Sequence, residues 1–325
     1  MNKQSVDIFI LSGFLGSGKS TLLKELIQLE RKKGRRIGVL MNELGEISID
    51  SAIIPSDTPL KEMLNGCICC TIQGELSLQL NLLIEEHELD VIYIESTGAA
   101  HPIEVIDACT HPILASKVNV KAVITVVNAK QWYEKKMSIK LKKFMVEQVK
   151  YADIVLINKK DQVEESVLSL IKESIKEIND QAIISIVSFA KWNPSFLDVK
   201  GQTQEVSSTK FVDDNHNSHV HNHLHLRTVS FPVNQAIDRI QFLHWLERMK
   251  GQLFRAKGFI YLKETPGLFL FNYAYGEPVL ERYALDKKYD PVLVFIGEDI
   301  DRVDLEKGLR KLQAKIVCSN KLDSF

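Results

Sequence analysis

Residues 13–20 read Gly-Phe-Leu-Gly-Ser-Gly-Lys-Ser, which fits the phosphate-binding pattern G-x-x-x-x-G-K-[ST]. An apolar run (Val6, Ile8, Phe9, Ile10, Leu11) leads into it, and a helical pattern (Leu22, Leu23, Leu26, Ile27) leads out. That context predicts strand, glycine-rich loop and helix. In such a loop successive N–H groups and the helix N-terminus cradle anionic oxygens. Gly13, Gly16, Ser17, Gly18, Lys19, Ser20 and Thr21 are therefore assigned to a nucleotide. Lys19 is expected to reach the β- and γ-phosphates, and the Ser20 hydroxyl to ligate Mg²⁺. The chain is expected to bind a nucleotide.

A chain of 325 residues suggests two domains. Hydrophobic content of 45% suits a globular core. The net charge of −1 gives no electrostatic reason to expect nucleic acid or an anionic membrane as partner. The N-terminal apolar run is too short for a secretory leader, and no stretch approaches transmembrane length. Five cysteines, three of them crowded at Cys67, Cys69 and Cys70, do not resemble a disulfide framework. A cytoplasmic setting is expected.

Strand-like runs at Asp7–Leu11, Arg36–Met41, Val91–Glu95, Ala122–Val127, Ile154–Asn158 and Ile183–Ser188 alternate with helical patterns. The helical patterns are Thr21–Lys33, Ile72–His87, Lys142–Tyr151 and Gln162–Asn179. Nearly continuous apolar strands imply a mostly parallel sheet covered on both faces. The expected fold is α/β: a doubly wound P-loop nucleotide-binding domain over 1–200, a His-rich linker over 201–226 and a smaller α+β domain over 227–325. In the smaller unit the pattern predicts strands at Arg227–Phe231, Ala256–Glu264, Leu268–Ala274 and Pro291–Gly297. Helices are expected there over Asn234–Lys250 and Asp301–Leu312.

Two more motifs specify the nucleotide site. Asn158-Lys159-Lys160-Asp161 closes a late strand as N-K-x-D. The Asp161 carboxylate can accept from both the ring N1–H and the exocyclic amine of guanine. Adenine lacks the N1–H and would strand a desolvated carboxylate. The stem of Lys159 is expected to lie along the base, and Ser188-Phe189-Ala190-Lys191 to add a backbone contact. Glu95-Ser96-Thr97-Gly98 ends an earlier strand at the Walker B position. There Glu95 would hold Mg²⁺ directly or through water, and the Gly98 N–H would approach the γ-phosphate. The segment Asn42-Glu43-Leu44-Gly45-Glu46 reads as a first switch, with Asp50 a candidate for the magnesium water shell. Ala99 stands where small signalling GTPases place a water-orienting Gln. Hydrolysis is therefore expected to be slow unless a partner subunit in a homo-oligomer, or a client protein, completes the site.

Gly66-Cys67-Ile68-Cys69-Cys70 lies between the first switch and the Walker B strand. Soft thiolates suit Zn²⁺ and Cu⁺, and a loop could turn two or three of them onto one ion. With this segment in place, G-F-L-G-S-G-K-S, N-E-x-G, G-C-I-C-C, E-S-T-G and N-K-x-D follow one another in order. That combination resembles the CobW-type GTPases, relatives of the urease and hydrogenase nickel-insertion GTPases, over essentially the whole chain. The resemblance implies a GTP-dependent metallochaperone, often for zinc, with metal on Cys67, Cys69 and Cys70. Two departures stand out. Met41 occupies the position before Asn-Glu where many relatives carry an acid, and Asn128 replaces an Asp common in relatives.

His216, His219, His221, His223 and His225 fall within ten residues, four of them alternating. Neutral imidazoles ligate Zn, Cu, Ni and Co, so this run is read as a loose site for metal capture. His101 is a minor candidate near the thiols; His87, His111, His244, Cys109 and Cys318 are read as surface or structural. The leading expectation is a GTPase delivering a transition metal, zinc first, to a metal-requiring client protein. The alternatives are a GTPase for cobalt, cobalamin or another metallocofactor, and a zinc buffer that does not hydrolyse GTP.

Overall fold

The computed structural model describes residues 5–43, 58–64, 72–96, 101–192, 227–249, 252–274, 276–283, 289–297 and 300–313. The chain divides into two compact units, Met1–His225 and Leu226–Phe325.

In the first unit, β1 (Val6–Ser12), β2 (Ile37–Glu43), β3 (Leu60–Leu64), β4 (Val91–Glu95), β5 (Val118–Asn128), β6 (Ile154–Asn158) and β7 (Ile183–Ile186) form one sheet. Among the described residues its order is β3-β2-β4-β1-β5-β6-β7. Every neighbouring pair is parallel. Every residue of β4 and β6 is buried, as a sheet covered on both faces requires. One face holds Phe9, Leu11, Tyr93, Ile124 and Leu156 against α1 (Lys19–Lys32). Helix α1 supplies Leu22, Leu23, Leu26 and Ile27 at helical spacing, worth about 1.5–3 kcal/mol each in burial before chain entropy is charged. Alternation sends Val127, Val155 and Ile157 to the opposite face. There they meet α4 (Ala129–Glu134), α5 (Ile139–Lys150) and α6 (Glu165–Ile178). Helices α2 (Ile72–Glu86) and α3 (Pro102–Cys109) also cover the sheet. Strand β1 sits between β4 and β5, where the order of winding reverses. In such sheets ligands bind beyond the carboxyl ends of the strands at that reversal.

The second unit holds β8 (Arg227–Pro232), β9 (Leu253–Tyr261), β10 (Leu268–Ala274), β11 (Glu277–Arg282) and β12 (Val292–Gly297). Their order is β11-β10-β9-β12-β8, with every pair antiparallel. Helices α7 (Arg239–Glu247) and α8 (Arg302–Gln313) share one core with it, around Phe242, Trp245, Phe271 and Phe295.

Several boundaries differ from the sequence pattern for local reasons. The helix expected over Asn234–Lys250 begins only at Arg239, where Asp238 caps it by accepting from Gln241 N at 2.9 Å. Upstream, Ile237 bridges to Leu262, so its backbone is spent on strand-like pairing. The pattern over Gln162–Asn179 resolves into a tight turn at Lys160–Gln162 and then α6. Helix α5 starts at Ile139 rather than Lys142, because the Ser138 hydroxyl caps Leu141 N at 3.4 Å. Strand β7 stops at Ile186, before the expected Ser188. Elements β3, α3, α4 and β11 had no counterpart in the sequence pattern.

Candidate nucleotide site

The loop from β1 to α1 lies at the sheet's winding reversal. Gly13 (φ 135°) and Gly18 (φ 113°) hold left-handed backbone that a side chain resists. A Cβ at Gly13 would also strike the Val126 carbonyl, and one at Gly18 the Asn158 amide. Gly18 caps α1 without a side-chain hydrogen bond, and the first turn of α1 carries no acid. The helix N-terminus thus keeps its positive character toward an anion. The Lys19 ammonium lies along the loop, donating to Gly13 O at 2.9 Å and Phe14 O at 3.5 Å.

Ser20 Oγ donates to Glu95 Oε1 at 3.0 Å, joining residues 75 positions apart. Register explains the meeting, since Glu95 ends β4 opposite Leu11 of β1 and Met41 of β2. Two oxygen donors so placed fit the hard-cation chemistry of Mg²⁺. Met41 is buried in the core beneath α1, so this position offers no ligand.

The N-K-x-D segment is wired to the phosphate loop. Asn158 Nδ2 donates to Ser17 O at 2.9 Å, and its Oδ1 accepts from Ala190 N at 3.0 Å. This buried amide therefore ties the phosphate-loop motif to the turn after β7. Lys159 takes left-handed backbone (φ 60°), and Asp161 Oδ1 accepts from Ser188 Oγ at 2.9 Å. Leu15, Lys19, Ser20, Glu95, Lys159 and Asp161 line one cleft of about 670 Å³, large enough for a nucleotide. Gly16, Gly18 and Thr21 line the same cleft.

Other contacts had weak sequence signals or none. Asn128 caps α4 through Gln131 N at 3.2 Å, and Gln131 Nε2 reaches Leu15 O at 3.4 Å. The Asn at the departure from the family pattern thus supports a helix that braces the phosphate loop. His101 caps α3, its Nδ1 accepting from Ile103 N at 3.3 Å, while Nε2 lies 3.6 Å from Glu147 Oε2. Cys109 is fully buried, and burial with Asp107 nearby pushes its thiol far above the ordinary range, away from thiolate chemistry. A second cavity of about 650 Å³ lies at the amino ends of the strands, lined by Asp7, Arg35, Arg36 and Asp90. There Arg35 pairs with Asp7 and Arg36 with Asp90, both at 2.8 Å. The hydrogen bond from Arg36 holds the Asp90 carboxyl below the usual range. None of the described motif residues lines it.

Asp50, Cys67, Cys69, Cys70, Gly98, His216, His219, His221, His223 and His225 lie outside the described residues. Among the described residues no three His, Cys, Asp or Glu side chains group as a metal site. No described helix is long and apolar enough to cross a membrane.

The family model for the CobW/HypB/UreG nucleotide-binding domain matches residues 7–185. The chain belongs to this family. The Cobalamin synthesis protein cobW C-terminal domain matches residues 226–313. Among curated relatives, "Zinc chaperone YjiA" of Escherichia coli is 29% identical over 94% of this chain and 99% of its own length. "Zinc-regulated GTPase metalloprotein activator 1" of Dictyostelium discoideum is 27% identical over 82% of this chain, which spans 65% of that relative. "Zinc chaperone CobW" of Pseudomonas aeruginosa is 31% identical over 52% of each chain. The two family models thus match the P-loop unit and the antiparallel C-terminal unit in turn.

Proposed function

We propose that this chain is a GTP-hydrolysing metallochaperone. In this reading it carries a transition metal, zinc first, on the Cys67–Cys70 loop and passes it to a client protein under nucleotide control. The observation that carries the nucleotide half is the convergence of Ser20 and Glu95 at 3.0 Å in the same cleft as Asp161. Mg²⁺ would be held by the Ser20 hydroxyl, with Glu95 bound directly or through water, and would neutralise charge developing on the phosphates. Lys19 and the α1 N-terminus would hold the β/γ end of the nucleotide, and the Gly98 N–H would approach the γ-phosphate. Asp161 would read the guanine edge, and Asp50 would support the magnesium water shell.

The metal half is supported by ligand chemistry, by the relatives named as zinc chaperones, and by sheet register. Strands β2 and β3 are parallel neighbours whose last residues, Glu43 and Leu64, stand side by side. In the chain, the switch segment begins in the last two residues of β2, and the thiol segment comes after β3. A γ-phosphate that orders the switch would in this way also order the thiols, and hydrolysis would loosen them. The histidine run would capture metal for the loop.

Turnover tests the reading against a passive zinc store. With Mg²⁺ present and Zn²⁺, Co²⁺ or Ni²⁺ added singly, the chain is expected to hydrolyse GTP slowly, and a phosphate-release assay measures it. Binding of GTP with no hydrolysis under any of these metals would contradict the metallochaperone reading and leave a buffer.

A further inference from the structure

The turn after β7 carries a feature that the guanine-reading motif does not account for. Phe189 and Ala190 are consecutive non-glycine residues with left-handed backbone, φ 54° and 53°. For a bulky aromatic residue that conformation is an outlier, held only where the surroundings enforce it. Here they do. Ala190 N donates to Asn158 Oδ1 at 3.0 Å, Ser188 Oγ donates to Asp161 Oδ1 at 2.9 Å, and Lys191 N returns to Ser188 O at 3.1 Å. The Ala190 methyl is fully buried in the core beneath α1. With Ala190 turned inward and Ser188 tied to Asp161, the turn presents Phe189 outward. Phe189 is 69% exposed, yet it lines the same cleft as Lys159 and Asp161. A lone exposed apolar residue is ordinary. One held by strained backbone at the mouth of a nucleotide cleft is a platform awaiting a flat, apolar partner.

We propose that Phe189 stacks on the nucleobase and supplies affinity without choosing the base. The inference rests on the nucleotide reading of this cleft and divides the work within it. Asp161 reads the hydrogen-bonding edge, whereas a ring stacked on a π-face accepts any purine. The two residues are joined through Ser188, so the platform and the edge reader move as one unit.

The test compares Phe189→Ala and Phe189→Trp in the full-length chain. Phe189→Ala is expected to weaken GTP and GDP binding alike by about tenfold, the loss typical of one stacked base. Residual ATP binding should fall by the same factor, leaving the GTP/ATP preference unchanged. In Phe189→Trp, the fluorescence of the new indole should respond to GDP and not to inorganic triphosphate, which has no base. Unchanged affinities in Phe189→Ala, a loss confined to GTP over GDP, or an indole blind to GDP would each overturn the proposal. A native chain binding GTP and ATP equally would instead contradict the guanine assignment of Asp161. Stacking by Phe189 would then still be read from the loss of affinity for both.

Discussion

Lys19→Ala is expected to lower GTP turnover by about two to three orders of magnitude, the cost of removing one preorganised charge from a developing negative centre. Its ammonium donates to two carbonyls of the phosphate loop. It is only 7% exposed, so it enters the reaction already desolvated and oriented. Arriving phosphate oxygens would exchange with those carbonyls at little cost in side-chain entropy. The substitution leaves the buried stripe of Leu22, Leu23, Leu26 and Ile27 intact, so α1 should remain folded. Single-turnover hydrolysis with circular dichroism as a folding control measures the effect. Normal turnover in a folded Lys19→Ala chain would remove the loop from the catalytic site.

The second large effect is on nucleotide choice. Asp161→Asn should lower GTP affinity by about one to two orders of magnitude, since a hydrogen bond to a charged acceptor contributes roughly 1.5–3 kcal/mol and one of the two is lost. The amide oxygen can still accept from the N1–H, while the amide NH2 would face the exocyclic amine donor to donor. Xanthosine triphosphate carries a carbonyl where guanine has that amine, so the variant should bind it better than the native chain does. Ser188 can still donate to the carbonyl oxygen of the substituted side chain, which preserves the turn. Competition titrations with GTP, ATP and xanthosine triphosphate measure the preference. A variant that keeps the native order of preference would show that Asp161 does not read the base.

Much of this fold is legible because its rules are local. Strand β4 and strand β6 run over the residues that their unbroken apolar runs predict, since a parallel strand covered on both faces needs no alternation. Strand β11 escaped notice because Glu-Pro-Val-Leu-Glu-Arg is an exposed edge strand, where charge and proline protect against pairing rather than build a core. Helix α4 has six residues, too few to show a helical period, and is set by the Asn128 cap. The sequence pattern extends helix α7 too far because apolar spacing continues upstream of Asp238, where the backbone is engaged in a bridge.

In the candidate site, the motifs announced which residues matter more clearly than how they meet. Ser20 and Glu95 are far apart in the chain, and only the parallel register of β1 and β4 brings them within a hydrogen bond. The pairing of Asn158 with both Ser17 and Ala190 depends on the close approach that Gly18 permits. Phe189 was visible only as a member of a weak tetrapeptide. Its exposure is set by two left-handed residues that composition does not encode.

Nucleotide state is expected to set metal affinity at the thiol loop. This is tested by titrating zinc against a competing chelator in the GTP-analogue and GDP states, for the native chain and for a variant with Cys69→Ser and Cys70→Ser. The native chain should bind zinc about 5–150-fold more tightly with the GTP analogue, and by reciprocity zinc should tighten GTP-analogue binding relative to GDP by the same factor. The double variant should lose the coupling and keep its GTP affinity. Equal zinc affinities in the two nucleotide states of the native chain would contradict the account.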